Sequence, residues 1–152
     1  MGMKAGMWCH VEIPVKDRKK AQKFYGKVFG WKFREMPEMD YTLYCPQEGA
    51  EVGGGLWNPP SGIPRQIVNY ILVKKIEPMV AKVKKSGGKL LYPKTEVHGA
   101  GWFAQVSDPD GKDVFFLGTK TPRSSRFPRK GAFHFITRHR WKHGIDTAAR
   151  AP

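Results

Sequence analysis

The feature that most limits what this chain can fold into is a repeat. Val15 stands 15 residues before Gly30, Val73 stands 15 residues before Gly88, and both pairs are offset by 58 residues. In the first stretch, WCHVEIPV at 8–15 carries β-branched residues in an alternating pattern and predicts a half-buried strand. Asp17 follows, and its carboxylate can accept hydrogen bonds from the unpaired N–H groups of a first helical turn. Ala21, Phe24, Tyr25, Val28 and Phe29 then fall on one stripe, opposite Arg18, Lys19, Lys20, Lys23 and Lys27, and Gly30 is placed to end the helix. The second stretch repeats the scheme: a strand over 66–73, then a helix with Pro78 near its first turn and Gly87 and Gly88 after its last. Met79, Val80 and Val83 supply that helix's apolar face. Outgoing strands follow both helices, WKFREMP and KLLYPK. A period of this length, with one helix and several strands per unit, marks a duplicated supersecondary module.

Turn punctuation supplies the remaining strands. Residues 40–45 alternate, 51–57 follow a PQEGA turn, and 101–106 and 112–117 flank DPDG as a hairpin. Each half therefore reads β-α-β-β-β, an α+β chain of two tandem βαβββ modules. The modules occupy about 7–57 and 66–118 of one domain, 1–120, with a basic C-terminal extension at 121–152.

Composition narrows the function classes. The longest apolar runs fall well short of the roughly 20 residues that cross a bilayer, and no signal-type apolar segment precedes Trp8. A cytoplasmic protein without a membrane partner is expected. Cys9 and Cys45 are too few for a disulfide scaffold and fit buried, reduced thiols. The net charge of +14 is uneven: residues 121–152 hold eight Lys or Arg against one acid, half the total in about a fifth of the chain.

The paired halves, the opening HVEIPVKDRKKAQKFYGKVFGW, the GG after the second helix and the late DPDG together resemble the vicinal oxygen chelate superfamily over residues 7–118. That superfamily includes glyoxalase I, extradiol dioxygenases and bleomycin- and fosfomycin-resistance proteins. The resemblance is to its small, single-domain glyoxalase-like members. It implies two curved sheet modules enclosing a cupped cavity, usually in a homodimer. It also implies a divalent metal held by one side chain from the first and last strand of each half, with His and Glu commonest.

Matched onto this sequence, the first ligand position is His10, five residues before Val15. The equivalent position in the second half is Val68, the acidic position of the first half falls in the glycine run 53–55, and that of the second half falls on Phe115. Three of the four cannot ligate, whereas divalent sites normally use about three protein ligands. No cofactor is therefore expected, and glyoxalase I activity is disfavoured; a divalent metal on His10 would need relocated partners. Glu12 shares a strand face with His10, so the pair could serve as catalytic acid–base groups or simply line the cavity. By the same alternation Trp8, His10, Glu12, Tyr70 and Phe115 point into the cup, with Trp57 and Trp102 near strand ends. Such a lining suits a planar or cationic small molecule, or packs a closed core.

In the extension, arginines alternate with Phe127, Phe133, Phe135 and Trp141, a pattern able to take phosphates and stack bases, though a solvated or partner-docked extension is the plainer expectation. His134, His139 and His143 offer a further, weaker metal candidate. The leading expectation is thus a homodimeric small-molecule binder without the usual metal. Behind it stand a metal-dependent lyase, isomerase or dioxygenase with relocated ligands, and a nucleic-acid-contacting protein acting through 121–152.

Overall fold

A computed structural model describes residues 3–37, 40–62, 65–97 and 101–118; the basic extension at 121–152 and the loop histidine His98 lie outside the described residues. The chain runs β1 (Trp8–Pro14), α1 (Arg18–Phe29), β2 (Lys32–Met36), β3 (Tyr41–Cys45) and β4 (Gly53–Trp57). It continues with β5 (Val68–Val73), α2 (Ile76–Lys85), β6 (Lys89–Val97), β7 (Gly101–Ser107) and β8 (Asp113–Gly118). This is the β-α-β-β-β pattern twice, with strand limits within two residues of those the sequence predicts except at β6, which runs three residues beyond the predicted KLLYPK. The strands form one curled sheet in the order β2-β3-β4-β1-β5-β8-β7-β6.

The halves are joined by β1 and β5, which pair antiparallel, while β1–β4 and β5–β8 pair parallel. The central register carries the repeat. His10 pairs with Tyr70 and Glu12 with Val68, and the 58-residue offset relates His10 to Val68 and Glu12 to Tyr70. Each pair is therefore the other's mate under a local twofold between the modules.

Helix ends follow local chemistry. The Lys20 N–H donates to Asp17 Oδ1 at 3.0 Å, and Gly30 adopts the left-handed conformation (φ 72°) with its N–H on the Gly26 carbonyl. That hydrogen bond also holds the Asp17 carboxyl below its ordinary value. At the DPDG turn, Asp108 Oδ1 accepts from the Lys112 N–H at 2.8 Å and Gly111 takes positive φ.

The sheet's two faces bury different things. Val73, Ala104, Val106 and Phe116 pack beneath α2, which buries its own Ile76 against them, with Met79, Val80 and Val83 leaning in as the sequence predicts. On the opposite, inner face lie Tyr41, Leu43, Trp57, Val68, Tyr70, Phe103, Phe115 and Leu117. Helix α1 departs from expectation. Its stripe does not become a core face: no residue of α1 is buried, and Phe24, Val28 and Phe29 are 57%, 54% and 57% exposed. What seats α1 is a pile of parallel rings, Tyr25 on Trp31 (4.8 Å between centroids) and Trp31 on Tyr44 (4.5 Å). Arg18 adds pairs to Asp40 and Glu35.

Candidate functional site: a buried carboxyl among phenols

Glu12 sits mid-way along β1 with its side chain on the inner face, 0% exposed. Tyr70, on the neighbouring β5, donates its hydroxyl to Glu12 Oε2 at 3.1 Å, and Tyr41, from β3, donates to Oε1 at 3.3 Å. The Tyr41 oxygen also lies 2.9 Å from His10 Nε2, so imidazole, phenol and carboxyl form a continuous hydrogen-bonded run. His10 is 5% exposed, and burial lowers its pKa from 6.5 to about 3, leaving the ring neutral at physiological pH. Burial and the neighbouring Glu12 raise Tyr41 well above the ordinary phenol value, so its proton stays in place as a donor. Burying a carboxyl is costly unless hydrogen bonds compensate, and here aromatic hydroxyls provide them. The edge of His10 meets Tyr70, and Tyr70 leans on Phe115.

Tyr41 reaches Glu12 because β4 is glycine where the two strands face each other. Gly55 pairs with Glu12 on one side and Leu43 on the other. A Cβ at Gly55 would stand 1.8 Å from the Tyr41 hydroxyl oxygen, so the phenol fills the space that a side chain there would take. In the second half the corresponding pairing joins Tyr70 to Phe115, and the two rings meet with their centroids 5.5 Å apart.

Of the residues nominated from sequence, the structure brings together His10, Glu12, Tyr70 and Phe115, with Trp57 in the same inner cluster. Two are placed elsewhere. Trp102 packs on the outer face with the α2 cluster, under the Lys94 ammonium at 4.3 Å, because β7 presents Phe103 and not its neighbour to the inner face. Trp8 is 53% exposed at the mouth of β1, where a register shift between Trp8 and His10 breaks the alternation. Tyr41 is the residue the sequence did not single out. Its signal was indirect: three glycines in a row on a strand leave a gap that some neighbour must occupy.

The donor set does not fit the divalent metal that the resemblance implies. Val68 and Phe115 offer no lone pair, Gly55 has no side chain, and His10 Nε2 already faces the Tyr41 hydroxyl. Among the described residues, no three His, Cys, Asp or Glu side chains cluster closely enough to hold an ion. Cys9 offers no reactive alternative, since burial pushes its thiol up to about 12 and its Sγ–H points to the Tyr70 carbonyl. Cys45 is half-buried, with its Sγ 2.8 Å from the Gln47 carbonyl oxygen.

Comparison with known proteins agrees with this architecture. A family model described as bleomycin resistance protein-like N-terminal matches residues 8–44. CFP32 of Mycobacterium bovis, provisionally named a glyoxylase, is 28% identical over 110 residues, covering 68% of this chain and 42% of that protein; its Mycobacterium tuberculosis counterpart matches equally. The chain thus spans less than half the length of these curated relatives. A Vibrio splendidus member of the glyoxalase/bleomycin resistance protein/dioxygenase superfamily superposes with a TM-score of 0.54 at 21% identity, covering 72% of this chain and 95% of that one. Methylmalonyl-CoA epimerase from Mycobacterium tuberculosis superposes with a TM-score of 0.57 at 15% identity, covering 80% and 94%. At these identities the likeness is one of fold.

Proposed function

The chain is a member of the vicinal oxygen chelate superfamily, and from that premise we propose that it binds a small organic molecule on the inner face of its sheet without a divalent metal. The observation that carries this reading is Glu12: a fully buried carboxyl held by two phenols at the centre of an aromatic surface. A leucine there would pack at lower cost, and ionisable groups kept in such places concentrate at functional sites. In this reading Glu12 is the polar anchor. A ligand N–H or O–H replaces one tyrosine hydroxyl on the carboxyl, and Tyr70, Phe115 and Trp57 supply flat apolar walls. These walls are themselves buried, so in this reading a ligand enters by displacing rings.

Fold likeness to an epimerase and partial likeness to a provisional glyoxylase do not transfer an activity. The hydrogen-bonded run from His10 through Tyr41 to Glu12 does favour one second reading, in which Glu12 exchanges a proton with the bound molecule as an isomerase or lyase base. A homodimer accompanies both readings as the usual state of this superfamily.

The test is a thermal-shift screen of the full chain against planar aromatic amines, phenols and small carbonyl compounds. At least one class should raise the Tm of the wild type and have no effect on Glu12→Gln, which keeps the shape and loses the acid. Compounds that stabilise wild type, Glu12→Gln and Tyr70→Phe alike would overturn the assignment.

A further inference from the structure

Helix α1 carries five cations and no acid in its 12 residues, and it keeps Phe24, Val28 and Phe29 in solvent. Arg18 is engaged with Asp40 and Glu35, but Lys19, Lys20, Lys23 and Lys27 are all exposed. Lys20, Phe24 and Val28 follow one another at intervals of four, so lysine and apolar groups share one outward stripe, with Lys23 and Lys27 along its flank. Phe29 extends the apolar patch to the helix end. The helix lies on the outer side of the sheet, away from Glu12: Gln22 bonds Thr42, and Gly26 sits against the Phe33 ring.

We propose that this face of α1 docks on an anionic phospholipid surface, lying flat with Phe24, Val28 and Phe29 in the headgroup–acyl boundary and the lysines on lipid phosphates and carboxylates. An exposed helix face on which lysines flank aromatic and aliphatic side chains has the composition of interfacial helices. Charge decides against the competing occupants. A second copy of α1 would set five cations against five. Nucleic acid would use the charge, but Val28 has no ring to stack, and the helix's single guanidinium is committed to carboxylates. The contact proposed is peripheral, made by a 12-residue helix lying along the surface. The inference is independent of the ligand reading, because the two faces of the sheet are separate.

The experiment is co-sedimentation of the full chain with phosphatidylcholine vesicles, with and without phosphatidylserine. Wild type should pellet with the phosphatidylserine vesicles and stay in solution with phosphatidylcholine alone. Lys23→Gln with Lys27→Gln, both at exposed sites, should weaken the partition by about 30-fold, at roughly one charge contact per lysine. Phe24→Ser should weaken it by about tenfold at constant charge. Equal pelleting with both vesicle types, unchanged pelleting of these variants, or retention on single-stranded nucleic acid in place of vesicles would each overturn the proposal.

Discussion

At the scale of single residues, His10 and Glu12 look alike in the sequence, two polar side chains on one strand face, but the structure gives them different roles. His10 is a neutral ring whose pKa burial has lowered to about 3. The unfolded chain, with an ordinary value near 6.5, therefore takes up a proton before the folded one does. The stability that follows from this is complete above about pH 6.5 and falls with acidification toward about 3, at roughly 1.4 kcal/mol per pH unit. Urea titrations between about pH 6.5 and 5, above the range where most carboxylates titrate, should show this slope in wild type and little of it in His10→Gln. Equal slopes would mean that the imidazole is hydrated in the native state. No spacing rule could have reported this shift, because desolvation depends on Tyr41 and Tyr70, which lie 31 and 60 positions along the chain from His10.

At the scale of elements, β4 and α1 show most clearly how neighbours decide what a pattern means. In β4, Gly55 is a tight position because the Tyr41 phenol occupies the space beside it. Gly55→Ala should destabilise the fold by about 1–3 kcal/mol, as overpacking does. The penalty should shrink when Tyr41→Ala is added, a non-additivity that denaturant titration of the four-member cycle would measure. Additive costs would place the phenol elsewhere. For α1 the pattern located the helix, its Asp17 cap and its Gly30 stop, because capping is decided within a turn. It did not tell which face is covered. The stripe Phe24, Val28, Phe29 has core periodicity, but the sheet beneath engages Tyr25, Gly26 and Gln22, and the stripe is left outside.

At the scale of the whole molecule, the duplication places four equivalent positions about the joint between β1 and β5, and this chain has filled them with one imidazole, a valine, a glycine and a phenylalanine. Adding Ni, Zn or Mn to metal-stripped protein should leave its Tm unchanged, whereas an ion at a hundred times its Kd would stabilise by about 2.7 kcal/mol. A saturable rise in Tm that disappears in His10→Ala would show a metal site built from other donors. By itself the sequence determined the repeat, the two helices, the Asp17 cap and Gly30 stop of the first, and the succession of strands along the chain. All of these are written in periods, turn residues and a constant offset, which act over a few residues or are copied between halves. Only the tertiary structure decided that Tyr41 completes the Glu12 site, that Trp8 and Trp102 lie outside it, and that the apolar stripe of α1 faces solvent. Those outcomes depend on which strand lies beside which and where a register slips, and contacts between distant segments leave no periodic trace in the chain.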